Sequence, residues 1–270
     1  MANQDGAGNL ESGPLLYEEQ DHVGVITLNR PEAMNSLTYE SYALLEDTVR
    51  HSTARALIIT ANGRAFCAGD DVKQILGNPN PPPESFRERG KATGGLTPAA
   101  DALLYTDIPV IAAVNGPAVG WGMELALMAD IRVVSDRARF GELFVIRGLC
   151  CDAPGLGRLA QLVGRERAAE LLFTGDLIDA ETALAIGLAS RRVVHDELMP
   201  TAMALAEKIA GNPPLAVQAL KSGLRRTLEP DWRDTGRWAI EQITRLRQTE
   251  DSKEGVAAFL EKRDPVYVGR

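Results

Sequence analysis

The sequence predicts an α/β fold: a mixed core of buried strands and helices followed by a region that is almost wholly helical. Three observations predict it. The short apolar runs at residues 56–60 and Val110–Val114 each end in a glycine-rich turn and lead into a helix. Strand-like segments are concentrated before Gly155, and beyond it nearly every segment has helical spacing, with one short strand at residues 191–194. The chain has 270 residues, 45% of them apolar and 24% charged, enough to bury a substantial core in an ordinary globular protein.

In chain order, residues 15–19 and Val23–Leu28 alternate as two strands joined by a tight turn at Asp21-His22. Pro31 breaks the second strand, and Tyr42, Leu45 and Val49 recur at helical spacing over Tyr39–His51. The run at 56–60 reads as a strand buried on both sides, followed by a glycine corner and a helix at Val72–Leu76. Residues 77–95 are proline-rich and polar, which predicts a mobile segment with at most a short helix at 83–91. A helix at 97–105 leads into the strand Val110–Val114, the glycine corner Gly120-Trp121-Gly122 and a helix at 123–129. Strands follow at Ile131–Ser135 and 138–141, then a loop carrying Arg147, Gly148 and Asp152. Helices are predicted at 155–163, 165–173, 179–186, 197–210, Pro214–Leu228, 232–248 and 252–261. The chain divides into a loose tail (1–14), a core (15–210) and a helical region (211–270), much of which is expected to pack on a neighbouring subunit.

The formal charge of −8 argues against a general nucleic-acid surface while leaving room for a local basic pocket. No apolar run is long enough for a membrane span, and the first 14 residues lack the basic start and apolar middle of a signal peptide. Only Cys67, Cys150 and Cys151 occur, without metal-site spacing, so the expectation is a reducing, cytoplasmic setting and no metal.

The chemistry is expected at the two glycine corners. A helix that starts beside glycines leaves backbone N–H groups without intrahelical partners, with the positive end of the dipole behind them. Glu124 sits in the first turn of such a helix among Met123, Leu125 and Ala126; it can complement the dipole or carry a proton for a reaction that builds charge on an oxygen. Other signals are weaker. Gly155-Leu156-Gly157-Arg158-Leu159-Ala160 matches a dinucleotide fingerprint but follows Pro154 rather than a strand, so a packed helix start is the better reading. Cys150 and Cys151 have no histidine placed for them by motif, and no Gly-x-Ser-x-Gly elbow is present.

The segments Ala65-Phe66-Cys67-Ala68-Gly69-Asp70-Asp71-Val72-Lys73 and Ala113-Val114-Asn115-Gly116-Pro117-Ala118-Val119-Gly120-Trp121-Gly122-Met123-Glu124-Leu125 resemble the enoyl-CoA hydratase/isomerase (crotonase) superfamily. The likeness continues in family order through Ala129-Asp130-Ile131, Thr174-Gly175-Asp176, Ala180 to Gly187 and Phe259-Leu260-Glu261-Lys262-Arg263, and it covers nearly the whole chain after Gly13. It implies a crotonase-like spiral of ββα repeats, a C-terminal helical trimerisation region, and a homotrimer or homohexamer. It also implies an acyl-CoA substrate, with coenzyme A entering only as part of the thioester and no prosthetic group.

By the resemblance, the backbone N–H groups of Asp70 and Trp121 form an oxyanion hole, and Glu124 takes the place of the first hydratase glutamate. The second glutamate position is Phe144, with Glu142 two residues earlier. The offset of Asp152 from Gly148 resembles that of an aspartate used by dienoyl-CoA isomerases and aromatic-CoA dehalogenases; a helix N-cap role is the alternative. Coenzyme contacts are implied at Arg30, Ala33, Ala68, Asp71, Val72, Lys73, Phe259 and Lys262, the last two often reaching from an adjacent subunit. Hydratase or isomerase chemistry is expected. The alternative is a non-catalytic acyl-CoA-binding paralogue, because Phe144 removes one carboxylate.

Overall fold

In the computed structural model, which describes residues 9–78 and 80–270, two sheets of unequal size are stacked along one winding chain. Residues 1–8 of the expected tail and Pro79 of the proline-rich segment lie outside the described residues. The larger sheet has the order β1-β2-β3-β4-β6-β9, formed by Leu15–Gln20, Val23–Leu28, Ala56–Ala61, Val110–Val114, Ile131–Ser135 and Arg191–Val193. Only β1 runs antiparallel to its neighbour. Asp21 and His22 both take positive φ, the backbone that a two-residue hairpin turn needs. The central strands are buried on both faces, which is why they read as unbroken apolar runs rather than alternating ones.

The smaller sheet, β5-β7-β8, comprises Pro117–Val119, Arg139–Gly141 and Ile178–Asp179. β5 and β8 are absent from the sequence reading because a two- or three-residue strand carries no periodicity of its own. With them the repeat becomes plain. β4 lies in the large sheet, β5 in the small one, and helix α4 (Trp121–Met128) follows; β6 and β7 repeat the step. Earlier in the chain, β3 leads to a bridge between Cys67 and Ala118 and then to the wide π turn Val72–Leu76. This is the spiral of ββα units.

Helix α1 is Tyr39–His51, and the segment expected to be mobile forms α2 (Glu84–Ala92), one residue displaced from the sequence reading. Phe86 of α2 sits edge-on to Tyr39, ring centroids 5.1 Å apart, so this segment is a wall of the interior. Helix α3 is Pro98–Tyr105. After β7 come α5 (Ala153–Val163), α6 (Arg165–Thr174), α7 (Ala180–Ala185) and α8 (Leu198–Ala210), the last covering the face of the large sheet through Leu198, Ala202 and Ala206.

The helices α9 (Pro214–Leu228), α10 (Trp232–Leu246) and α11 (Glu250–Glu261) fold back onto their own chain. Lys221 of α9 donates to Asp130 and to the Ile108 carbonyl, both at 2.7 Å. Trp232 is wholly buried, and a Cβ on Gly157 of α5 would lie 2.8 Å from its ring. Within the chain, α10 meets α5 through Trp232, and α11 lies against the turn Val145–Arg147, where a Cβ on Gly255 would be 2.8 Å from Arg147 Cα. α9 keeps an apolar stripe outward, with Leu220, Leu224 and Leu228 exposed by 70%, 59% and 64%. Among the described residues no helix is long and apolar enough to cross a membrane.

Candidate active site

The two glycine corners are sewn to each other. The N–H groups of Phe66 and Cys67 donate to the Pro117 carbonyl, and Val119 N–H donates to Cys67 O. Glycines permit the approach. A Cβ on Gly122 would lie 2.1 Å from Cys67 O, and one on Gly69 would lie 3.2 Å from the Trp121 nitrogen. Gly69 also has φ +84°, in the region that favours glycine. The Asp70 and Trp121 N–H groups that flank this approach donate to no group among the described residues, and both residues line one cavity of about 530 Å³. Two unpartnered amides beside a cavity are what an oxyanion requires.

A second cavity of about 150 Å³ adjoins the first, and Asp70, Trp121, Phe144 and Leu149 line both. Its walls include Tyr39 and Tyr42 of α1, Phe86 of α2, Asp152, and Ile240, Ile243 and Arg247 at the end of α10. Phe144 thus forms apolar wall where the resemblance places a carboxylate.

Glu124 is fully enclosed in the first turn of α4. It is 0% exposed and lines neither cavity. Its carboxylate accepts from Asp152 N at 3.0 Å and Gly155 N at 2.7 Å, so it caps α5 from outside that helix. Glu142, 1% exposed, lies beside it: a Cβ on Gly155 would be 2.7 Å from Glu124 Oε1 and 3.0 Å from Glu142 Oε1. Neither Glu142 oxygen has a hydrogen-bond partner among the described residues. Burial first, and neighbouring carboxylates second, push both glutamates well above the usual carboxylate range. They form a buried acid pair behind the wall, and Gly155 and Gly157 are accounted for by packing rather than by a dinucleotide.

Asp152 occupies the N-cap position of α5, but its side chain makes no capping bond. It lines the smaller cavity instead. Burial and the Asp70 charge raise it to about 7, against the pull of Arg247 and the Trp121 indole. A carboxyl that titrates near neutrality can take up and return a proton at little cost.

Of the residues expected to meet coenzyme A, Arg30, Ala33, Ala68, Asp71, Val72, Lys73 and Phe259 line the larger cavity. Lys262 does not; it ends α11 with a left-handed backbone. Phe259 reaches the cavity from the same chain. Arg30 and Asp71 pair with each other at 3.0 Å, and Asp71 also caps the π turn by accepting from Lys73 N and Gln74 N. Its negative charge is thereby taken up within the fold. Sequence reasoning assigns no role to Arg147, which stacks 4.6 Å over the Phe259 ring and lines the larger cavity, nor to Tyr42 and Arg247. A lone arginine before a glycine and a tyrosine on a helix face carry no signal until the fold brings them together. Cys150 and Cys151 are pushed up by burial, Cys150 to about 11, and are poor nucleophiles. Among the described residues no group of three or more His, Cys, Asp and Glu is arranged to hold a metal ion.

Comparison with known proteins agrees with this architecture. The family model for enoyl-CoA hydratase/isomerase matches residues 18–270. A short-chain-enoyl-CoA hydratase of Clostridium acetobutylicum is 35% identical over 260 residues, 94% of this chain and 97% of that protein. An (E)-benzylidenesuccinyl-CoA hydratase of Thauera aromatica is 38% identical over 266 residues, 95% of this chain and 99% of that one. The crystal structure of an enoyl-CoA hydratase/isomerase from Pseudoalteromonas atlantica superposes with a TM-score of 0.85 at 30% identity, covering 95% of this chain and 100% of the other. The spiral of ββα units, the paired glycine corners and these matches across nearly the whole chain make it an enzyme of the enoyl-CoA hydratase/isomerase family.

Proposed function

We propose that this enzyme moves a proton along the carbon chain of an unsaturated acyl-CoA, shifting a double bond through an enolate whose oxygen rests on the N–H groups of Asp70 and Trp121. One observation carries the reading: Asp152 lines the small cavity beside those amides, while Glu124 and Glu142 line neither cavity and Phe144 is apolar. By the resemblance, syn hydration divides its work between carboxylates at the positions of Glu124, which lines neither cavity, and Phe144, which is apolar. Proton relocation can run on one carrier. The thioester carbonyl is read at the junction of the cavities, the acyl group in the smaller one and coenzyme A in the larger, near Lys73, Arg147 and Phe259. Hydration is kept as the second reading because the relatives above are named hydratases.

Absorbance separates the outcomes. Converting 3-hexenoyl-CoA into its conjugated isomer raises ultraviolet absorbance, and hydrating crotonyl-CoA lowers it. We expect the rise. A fall alone transfers the assignment to hydration, and binding without either change identifies a non-catalytic acyl-CoA-binding paralogue.

The assembly proposed is a homotrimer or a pair of trimers, supported by the exposed leucine stripe of α9, whose spacing of four residues makes one continuous face. Sedimentation velocity tests it, and a monomer at micromolar concentration would remove it.

A further inference from the structure

Resting on the reading of the site as a proton-shifting one, we infer that the Asp70 side chain is a second proton carrier. The residue then acts twice, through its N–H on the thioester oxygen and through its carboxyl on the acyl chain.

The placement is specific. Among the described residues, Asp70 and Asp152 are the only carboxylates lining the smaller cavity, and Asp70 also lines the larger one. Its carboxyl is anchored on one side: the buried Tyr42 hydroxyl donates to Oδ1 at 2.6 Å. Tyr42 in turn packs edge-on against Trp121, ring centroids 4.7 Å apart, so the anchor is built onto the other amide-bearing residue. Oδ2 accepts no hydrogen bond from the described residues. An oxygen held at one end and open at the other is arranged to meet a ligand.

The surrounding charges allow the pair to share a proton. Burial is the main cause raising both acids, and the Asp70 charge is the next cause acting on Asp152. Arg247 from α10 pulls both down, Arg147 acts on Asp70, and Asp71 opposes it. On the far side, Asp152 faces the buried Glu124 and Glu142. Two carboxyls confined in one cavity resist ionising together, so the second proton leaves at a higher pH than the first.

The step balances without another reactant. The ionised member takes a proton from the α-carbon of a 3-enoyl thioester, and the electron pair of that C–H bond delocalises into a dienolate whose oxygen lies between the two amides. The protonated member then delivers its proton to the γ-carbon as the electrons return to form the 2,3 double bond. One proton remains on the pair, on the opposite partner, and exchange with solvent restores the start.

The test uses 3-hexenoyl-CoA and the whole 270-residue chain. A pair sharing one proton gives a bell-shaped dependence of kcat on pH, falling above about 7 where Asp152 loses the last proton. A single carboxylate base gives a plateau there instead. Asp70→Asn leaves the backbone amide in place and should lower kcat about 10²-fold with little change in KM. Tyr42→Phe should displace the limbs of the profile while retaining part of the activity. A wild-type plateau above pH 7, or an Asp70→Asn kcat within about threefold of wild type, overturns the pair while leaving the isomerase reading intact. If Asp70→Asn fails to melt cooperatively, the wild-type profile and Tyr42→Phe decide. Wild-type protein that converts no enoyl thioester overturns both.

Discussion

Replacing Asp152 by asparagine is expected to lower kcat on a 3-enoyl-CoA by about 10²- to 10⁴-fold, the range for loss of a positioned acid or base. The fold should keep its stability, because the side chain gives α5 no capping bond. That helix start is satisfied by Glu124, through the N–H groups of Asp152 and Gly155, and both survive the substitution. Linkage gives a second signature. Folding raises the Asp152 carboxyl from its ordinary 3.8 to about 7. A carboxyl raised in this way contributes stability that is fully present below pH 3.8 and lost as pH rises through about 7. Asparagine has no such dependence. Measured relative to wild type, the melting temperature of Asp152→Asn should therefore improve between pH 5 and pH 8, while turnover is lost at both. A variant that melts early with normal kcat would return Asp152 to a purely structural role.

The location of the proposed site is legible in the sequence, because the amides that would define it lie on glycine-marked corners. Gly69 and Gly120 adopt backbone that other residues avoid, and Gly116 and Gly122 sit where a Cβ would strike carbonyl oxygens of the opposite corner. Such constraints leave a mark in composition. The identity of the proton carrier is only partly legible. The resemblance names both Glu124 and Asp152, but which of them meets the cavity depends on how α5 lies across the end of α4, a contact between segments about 30 residues apart. Tyr42 belongs to the same class: its hydroxyl reaches Asp70 across 28 residues of chain, and its helical spacing announces only a buried face. The short strands β5 and β8 escape a sequence reading because their pairing, and not their residues, makes them strands.

The same contrast explains why the acids divide into two groups. Glu124 and Glu142 are enclosed behind Gly155, one satisfied by backbone donors and the other by none, and burial raises both well above the usual carboxylate range. Asp70 and Asp152 stand on the open side, where Arg247 and a hydroxyl donor moderate their charge. A proton carrier must reach the acyl chain as well as ionise, and of these four acids only Asp70 and Asp152 line the smaller cavity.

Gly122→Ala is expected to be among the most damaging glycine-to-alanine changes at the described residues. The new Cβ would lie 2.1 Å from Cys67 O and 2.7 Å from its carbonyl carbon, and both are backbone atoms. Side-chain repacking cannot relieve this overlap; only separation of the two corners can. That separation would pull Val119 N–H from Cys67 O and Phe66 and Cys67 N–H from Pro117 O, which join the two turns. Overpacking of a rigid core typically costs about 1–3 kcal/mol, and the loss of backbone bonds adds to it, so a drop of roughly 5–10 °C in melting temperature is expected. The catalytic loss should exceed what the stability loss explains. Moving the Trp121 amide away from that of Asp70 by even about 1 Å misaligns the oxyanion donors, an effect of about 10²-fold or more on kcat in protein that is still folded. Gly164→Ala is the control: a Cβ there meets nothing within 4 Å, so only the strain of its φ of +79° is added, far from the corners. It should lower the melting temperature without changing kcat at temperatures where the protein is folded. If Gly122→Ala behaves like that control, the close approach of the corners does not set the geometry of the amides, and the origin of the oxyanion site must lie elsewhere in the fold.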